Sequence, residues 1–341
     1  MLVFMEDRIP NTPPRINAIE HMENRPLFSV MIPTYNCMKY LTDTIESVLI
    51  QYPGSDKMQI EVVDDCSNDG DVEQLVKSVG RGIIGFYRQP ENRGSLRNFE
   101  TCINRAKGQY VHLLHGDDLV KPGFYEEVAF LFNSFPAIGA AITNHSRTDE
   151  DNVESEPRPT LLPSAGIIPN WLTRIACRQL VQPPAVVVKR EVYEKLGGFY
   201  GVQYGEDWEM WIRIAAHYPV AYSPKCLAIY RAGHQTNISS RSILSGKNIA
   251  DIKTVIELSQ QYFPPEKRRK IKKQAERNFS KFYANNAFHY YKKNKAKHEK
   301  IALKMAQGAL VLNMNVRSIY WSACLLYEWL TRKLHLERTA K

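Results

Sequence analysis

The fold is predicted most directly from the run Gly108-Gln109-Tyr110-Val111-His112-Leu113-Leu114-His115-Gly116-Asp117-Asp118-Leu119-Val120-Lys121-Pro122. Residues 110–114 are mostly apolar and favour strands, which predicts a short buried β-strand. Gly116 allows the backbone to bend where that strand ends, and Pro122 limits the turn that follows. We therefore expect Asp117 and Asp118 on a tight loop at the carboxyl edge of a sheet, where open α/β sheets bind ligands.

The two adjacent carboxylates repel each other and raise each other's pKa unless a cation or hydrogen-bond donors compensate. Oxygen ligands favour Mg²⁺ or Mn²⁺, so a metal ion that also contacts phosphates is the simplest interpretation. The alternative is an Asp-Asp turn that caps the helix after Pro122. This stretch alone does not distinguish the two.

Upstream of this run, strands alternate with helices. Apolar, β-prone segments predict strands at 28–33, 60–63 and 83–87, and helical spacing predicts helices at 40–51, 72–79 and 95–106. This alternation is typical of right-handed crossovers and a parallel sheet. The loops at 33–36, 64–70 and 115–118 are then expected to meet at one edge of the sheet.

Downstream, the pattern becomes less regular. Strands are predicted at 138–143, 183–188, 221–222 and 226–230, a helix at 190–196, and a polar loop at 146–163. Glu206 and Asp207 open a further helix; carboxylates in a first turn ordinarily complement the helix dipole. From about residue 245 the chain is predicted to be helical.

Size and composition exclude several classes of protein. A chain of 341 residues with 44% hydrophobic and 24% charged residues is ordinary for a globular protein with a large α/β core and a smaller appendage. The six cysteines lack paired spacing, which argues against zinc and a disulfide framework and favours a reducing cytosol. Residues 1–27 are polar and lack the apolar core of a signal peptide, so they are predicted to be a flexible leader.

The positive charge is concentrated in one segment. Of the net charge of +9, residues 266–297 carry +10 through twelve Lys or Arg and two Glu, which leaves −1 for the rest. Such a segment is either a solvated helical face or a membrane-surface element. Residues 319–330 are rich in Tyr, Trp and Leu but too short to span a bilayer, so they either lie at a membrane interface or pack within a helical subdomain.

Seven short motifs, in this order, resemble those of the family 2 glycosyltransferases, which are inverting, nucleotide-sugar-dependent enzymes of the GT-A fold. The matching pieces are Ser29-Val30-Met31-Ile32-Pro33-Thr34-Tyr35-Asn36, Val62-Val63-Asp64-Asp65-Cys66-Ser67-Asn68-Asp69-Gly70, Asn92-Arg93-Gly94, Gly108 to Asp118, Leu196-Gly197-Gly198-Phe199, Glu206-Asp207 and Tyr230-Arg231-Ala232-Gly233-His234. The resemblance implies an α/β fold with a mixed, mostly parallel, Rossmann-like sheet flanked by helices. The helical pattern from about residue 245 adds a C-terminal helical extension to this fold.

The resemblance also implies a domain organisation. A catalytic domain would cover residues 28–240, with a nucleotide-binding half at 28–122 and an acceptor-binding half at 123–240. Residues 241–341 would form a basic helical region outside the resemblance.

By the same resemblance, Pro33, Tyr35 and Asp65 would line the base of the nucleotide. An aromatic ring offers a stacking face and a carboxylate can accept the imide N–H of uracil, so a UDP-type donor is favoured. Tyr35 as a packing residue at a strand end is the alternative. Arg93 and Arg97 could reach the phosphates bidentately, or could be solvated surface charges.

The resemblance assigns the divalent metal, Mn²⁺ or Mg²⁺, to Asp117, with Asp118 as a supporting ligand or sugar contact. His115 stands where the family commonly has Asp, so it could tune the metal, contact the sugar or fill space. His234 matches a histidine that closes over the diphosphate or metal in relatives. As a lone loop histidine it could equally be structural.

For the chemistry, the resemblance favours Asp207 as the general base, with Glu206 supporting it. Inversion requires a base that removes the proton of the acceptor hydroxyl as it attacks opposite the leaving diphosphate. The helix dipole would lower the pKa of Asp207, whereas burial beside Trp208 and Trp211 would raise it. The sequence leaves that competition open.

The function expected is transfer of a sugar from a nucleotide-sugar donor to a hydroxyl of a glycan or lipid-linked acceptor, in the synthesis of a cell-surface polysaccharide or glycoconjugate. The location expected is cytoplasmic, with possible peripheral contact at the inner membrane face through the basic helices. A non-catalytic scaffold of the same fold is the first alternative. A nucleic-acid-binding protein ranks low because no nucleic-acid motif accompanies the charge. The oligomeric state stays open.

Overall fold

The structure, a computed structural model, describes residues 8–19, 24–232, 242, 247–294 and 299–339. The chain divides into two compact units. The first comprises residues 1–172 and 179–237, and the second comprises residues 173–178 and 238–341. The domain boundary expected at residue 240 stays a prediction.

The first unit is built on a nine-stranded sheet in which β1 (Phe28–Thr34) lies between β2 (Met58–Asp64) and β4 (Tyr110–Leu113). All seven residues of β1 are buried, because it has a strand on either side and helices cover parallel strands on both faces. β3 (Gly85–Arg88) pairs with β2, and these four strands are parallel. The connecting helices are α1 (Met38–Leu49), α2 (Val72–Val79) and α3 (Ser95–Arg105).

The other half of the sheet contains the antiparallel pairings that make the sheet mixed, as the fold prediction expects. Four of the eight strand pairings are parallel and four are antiparallel. The strands of this half are β5 (Leu119–Val120), β6 (Ala140–Thr148), β7 (Gly166–Ile167), β8 (Val186–Lys189) and β9 (Val220–Arg231). The sheet order is β3-β2-β1-β4-β8-β6-β9-β5, with β7 paired to β9.

Two strands extend beyond their predicted bounds. β6 runs into the segment predicted as a loop from residue 146, and β9 replaces two predicted short strands with one of twelve residues. Both extensions arise because β6 and β9 pair in parallel as far as Thr148 and Arg231, across two register shifts. Backbone pairing therefore continues through polar residues that carry no apolar pattern.

The remaining helices of the first part of the chain are α4 (Phe124–Ser134), α5 (Trp171–Cys177), α6 (Arg190–Leu196) and α7 (Glu206–His217), with a short 3₁₀ turn at Pro183–Ala185. The division between the units falls within α5. The predicted helix at 190–196 is confirmed.

The prediction of a flexible leader is wrong for residues 8–19. Ile16 is 2% exposed, and the carbonyl oxygens of Pro10 and Pro14 accept hydrogen bonds from the amides of Gly201 and Gly198. The buried Arg190 guanidinium donates to the Asn17 carbonyl. Composition suggested a loose segment, but proline-rich backbone with free carbonyls makes an extended strap that other loops can hydrogen-bond.

The second unit is helical. Its elements are α8 (Lys247–Ser259), a 3₁₀ turn at Gln260–Tyr262, α9 (Pro265–Asn294), α10 (Glu299–Leu312) and α11 (Val316–Thr339). Ala287, Tyr291, Met305 and Leu325 form part of a core shared by α9, α10 and α11. Within the described ranges, no helix is both long enough and apolar enough to cross a membrane.

Candidate functional site

The loop that follows β4 has the position predicted from the sequence. The amide of Leu114 donates to Met31, and the amide of Gly116 donates to the Pro33 carbonyl at 3.2 Å, which holds the loop beside the end of β1. A side chain at position 116 would meet Cys37 Sγ at 2.8 Å, so this close approach requires glycine. The loop turns as the Asp118 amide donates to the His115 carbonyl.

This turn brings His115, Asp117 and Asp118 together. One potential ligand atom from each lies within 4.8 Å of the others. Asp118 is fully buried, and its Oδ2 has no hydrogen-bond partner among the described residues. Burial and the neighbouring Asp117 raise the pKa of Asp118 well above its usual range. A divalent cation would offset the unfavourable free energy of ionising the buried Asp118 beside Asp117. The three residues therefore fit a metal ion.

His115, at the place where the resemblance expected an aspartate, stacks on the Phe99 ring with centroids 5.2 Å apart. Its Nδ1 lies 3.9 Å from Asp118 Oδ2. Burial lowers the pKa of His115, against the opposing effect of Asp117, so the ring is neutral at pH 7 and a nitrogen lone pair is available for a metal. His115 therefore packs on Phe99 and also has a ring nitrogen that could bind a metal ion.

Arg231 holds this loop from the end of β9. Its amide donates to Asp118 Oδ1 at 2.8 Å, and its guanidinium donates to the carbonyls of Asp117 and Asp149 at 2.9 and 2.8 Å. The guanidinium also stacks on the Tyr40 ring at 4.4 Å. In the sequence, Arg231 was only part of a motif; its contacts come from residues about 80 to 190 positions away, so no local pattern could reveal them.

A second polar cluster forms after β1 and β2. Asp65 is buried, and its two carboxylate oxygens accept from the amides of Arg93 and Gly94, both at 2.8 Å. Burial raises the pKa of Asp65, although these two hydrogen bonds lower it. Asp64 is paired with Arg88. These bonds give Asp65 a structural role in positioning the loop of Arg93, in addition to the base contact predicted for it.

Tyr35 is 39% exposed and directly follows Thr34, the last residue of β1. Asn36 has φ of 51°, and its amide and side chain bond Ser67 and Asn68, so the two loops are joined beneath the tyrosine. The base contact of Tyr35 and its alternative, a packing residue at a strand end, both stay predictions. The exposed ring is available for stacking.

Arg93 and Arg97, the two arginines predicted to reach phosphates, have different surroundings. Arg97 lies in the first turn of α3 and pairs with Glu100 at 2.8 Å. Arg93 lies in the loop before that helix, with its backbone bound to Asp65. The phosphate-binding role of both side chains stays a prediction. His234 lies outside the described residues.

Asp207 lies in the first turn of α7, which begins after Gly205 in the left-handed conformation at φ 84°. It is 9% exposed; Gln179 Nε2 donates to its Oδ2 and the Trp208 amide to its Oδ1, both at 2.7 Å. Burial raises the pKa of Asp207 to about 6 despite these bonds. The sequence left open whether burial or the helix terminus dominates the pKa of Asp207. In the structure, burial raises this pKa more than the helix terminus lowers it.

Glu206 shares this first turn and is 7% exposed. One turn later, Glu209 and Arg213 form a buried ion pair at 2.8 Å, and Arg213 also donates to the carbonyls of Leu196 and Gly198. This network fixes α7 against the loop after α6. Gln179 and Arg213 were not identified from the sequence, because a glutamine and an arginine give no local signal of their partners.

Comparison with known proteins agrees with this architecture. Residues 29–197 match the family model described as "Glycosyl transferase family 2". The crystal structure of Staphylococcus aureus TarS residues 1–349 in complex with UDP-GlcNAc is similar, with a TM-score of 0.64 at 16% identity over 84% of this chain and 81% of that one. The mannosyltransferase PcManGT from Pyrobaculum calidifontis, in complex with GDP-Man and Mn²⁺, has a TM-score of 0.56 at 17% identity over 94% of this chain and 87% of that one. At these identities the likeness shows the fold, which is GT-A.

Sequence relatives cover different shares of the chain. An uncharacterized protein of Mycobacterium tuberculosis is 25% identical over 253 residues, 68% of this chain and 75% of that protein. The putative teichuronic acid biosynthesis glycosyltransferase TuaG of Bacillus subtilis is 38% identical over 96 residues, 28% of this chain and 37% of TuaG. The chain therefore spans less than two fifths of TuaG.

Proposed function

We propose, given that residues 29–197 of this chain belong to glycosyl transferase family 2, that the protein transfers a sugar from a nucleoside-diphosphate donor to an acceptor hydroxyl with inversion. The single observation that carries the proposal is the cluster of His115, Asp117 and Asp118, which holds a buried carboxylate oxygen without a hydrogen-bond partner among the described residues. In a family that uses nucleotide-sugars, this is the chemistry expected where a diphosphate is held.

The donor proposed is a UDP-sugar. Tyr35 offers an exposed ring at the end of β1, and Asp65 lies in the neighbouring loop after β2. Stacking on an aromatic ring contributes about 1–3 kcal/mol per base. TarS was solved with UDP-GlcNAc, which supports this choice, whereas PcManGT was solved with GDP-Man, which makes GDP the first competitor.

The base proposed is Asp207. With a pKa raised to about 6, its carboxylate is mostly ionised at pH 7 and is a stronger proton acceptor than an ordinary aspartate. Gln179 and the Trp208 amide hold the carboxylate in one orientation while it removes the proton of the acceptor hydroxyl. The oxygen of that hydroxyl forms the new glycosidic bond as the bond to the diphosphate breaks.

A divalent metal, Mn²⁺ or Mg²⁺, would be held by Asp117 with Asp118 and His115 beside it. When bound, it supplies positive charge that stabilises the departing diphosphate, so that oxygen needs no proton. Arg231 keeps the backbone of Asp117 and the carboxylate of Asp118 in position for this role.

The acceptor proposed is a hydroxyl of a glycan or lipid-linked glycan in cell-surface polysaccharide synthesis. The relative TuaG, which is named for teichuronic acid biosynthesis, supports this class. Oxygen-rich acceptors present many hydroxyls, so the linkage depends on how the acceptor is oriented beside Asp207.

Calorimetric titration tests the proposal. The protein is titrated with UDP, GDP, CDP and TDP, each with Mn²⁺, with Mg²⁺ and without metal. We expect metal-dependent binding of UDP, lost in Asp117→Ala and kept in Asp56→Ala, an exposed aspartate before β2. Binding of none of the four would contradict the proposal and favour a scaffold; binding of GDP instead would correct the donor.

A further inference from the structure

The outer side of α11 exposes an apolar stripe. Large apolar side chains recur at helical spacing and are 46% to 69% exposed; they are Ile319, Tyr320, Leu326, Tyr327, Leu330 and Leu334. At 1.5 Å per residue the stripe is about 22 Å long. Isolated exposed apolar residues are ordinary, but a contiguous stripe of this length marks an interaction surface.

The stripe continues onto the turn between α10 and α11. Val311, Met314 and Val316 are 80%, 72% and 83% exposed. This turn is built by polar side chains: the buried Ser280 of α9 donates to the Asn313 carbonyl, and the Asn315 amide donates to Ser318 Oγ at 3.0 Å. The apolar side chains at the turn thus point outward from a hydrogen-bonded structure.

The core of the second unit does not need these residues. The opposite side of α11 supplies Leu325, fully buried, to the core that includes Tyr291 and Met305. An amphipathic helix in a bundle requires one apolar stripe, and α11 has two. The sequence alternative of a helix that packs its own apolar face accounts for the inner stripe only.

Exposed positive charge lies on α9, which packs against α11 in the same unit. Lys273, Arg277 and Lys281 are exposed at four-residue spacing on α9. Lys281 adjoins Ser280, the residue bonded to Asn313, so this basic row ends at the α10–α11 turn. The acidic residues Glu299 and Glu328 are paired with Lys333 and Lys292 at 3.4 and 3.5 Å.

We propose that this apolar face, defined as Val311, Met314, Val316 and the six exposed residues of α11, binds the surface of a bilayer that contains anionic lipid. Apolar side chains would enter the headgroup region while Lys and Arg pair with lipid phosphates. A second copy of the chain is a poor occupant, because residues 266–297 would bring a charge of +10 against the same charge. The proposal is independent of the catalytic one.

Sedimentation with vesicles tests this. The full chain is mixed with phosphatidylcholine vesicles, with or without about 30% phosphatidylglycerol, at low and high salt. We expect binding only to the anionic vesicles, weakened by salt. Val316→Ser combined with Tyr327→Ser, and separately Arg277→Gln combined with Lys281→Gln, should each weaken binding by about tenfold or more.

Matched controls lie in the first unit. Ile50→Ser, at a side chain 67% exposed, matches the apolar change, and Lys57→Gln combined with Lys107→Gln matches the charge change. These variants should bind vesicles like the parent chain. UDP titration and circular dichroism show that each variant is folded. Absence of binding to anionic vesicles, binding by both test variants that equals binding by the parent chain, or a dimer that Val316→Ser abolishes would overturn the proposal.

Discussion

Asp118 and Asp207 are both buried carboxylates in the first unit, but their neighbours give them different chemistry. Asp118 has an acidic neighbour in Asp117 and one oxygen without a hydrogen-bond partner among the described residues. Asp207 has both oxygens hydrogen-bonded by neutral donors. Burial raises the pKa of each, yet only the first arrangement fits a cation, whereas the second is a carboxylate whose pKa is about 6.

The largest effect on the rate of sugar transfer is expected at Asp207, the proposed base. Asp207→Asn keeps the shape of the side chain but removes the proton acceptor, so transfer should fall about 10³-fold while UDP affinity changes little. Initial rates of sugar transfer and calorimetry measure the two quantities. Glu206→Gln, the adjacent carboxylate, is the matched control and should lose less than about tenfold. The reverse result would move the base to Glu206.

The next effect is expected at the cation cluster. Asp117→Ala removes one oxygen ligand and should weaken metal-dependent UDP binding by about 100-fold, because a charged partner contributes several kcal/mol in a buried site. Chelation with EDTA should do the same to the parent chain and add little in the variant. If EDTA left the affinity for UDP unchanged, the cluster of Asp117 and Asp118 would not hold a cation. The proposed contrast between Asp118 and Asp207 would then be wrong.

A smaller effect is expected at Arg231, which supports the cluster without being a ligand. Arg231→Gln removes donors from the carbonyls of Asp117 and Asp149 and should lower the free energy of unfolding by about 3 kcal/mol. Metal-dependent UDP affinity should fall about tenfold. Denaturant unfolding and calorimetry measure these changes. Arg81→Gln, at an exposed turn, should change neither quantity.

The smallest effect is a shift in the dependence of the transfer rate on pH. A base must be ionised, so the rate should rise with pH through about 6 and then level off. Gln179 donates to the charged form and lowers the pKa of Asp207, so Gln179→Leu should move this limb to higher pH and reduce the rate most below pH 7. Gln182→Leu is the control. A profile that moved to lower pH would contradict the assigned hydrogen bond.

The parallel half of the sheet was predictable because β1, β2 and β4 are rich in apolar, β-prone residues and are followed by polar loops. The segment 146–148 was assigned to a loop because its residues are polar, yet it pairs with β9. The strap at residues 8–19 was missed for a related reason. Its order depends on hydrogen bonds from the distant Gly198 and Gly201.

The sequence by itself determined the order of strands and helices from β1 to β4, the positions of Asp117, Asp118 and Asp207 at element ends, and the family resemblance. These follow from periodicity and short motifs, which are local. Only the tertiary structure decided that burial outweighs the helix terminus at Asp207, that Arg231 and Gln179 support the two carboxylates, and that α11 has an apolar side facing away from its own core. Desolvation and hydrogen bonding depend on which distant residues surround a group, and the local sequence does not specify those neighbours.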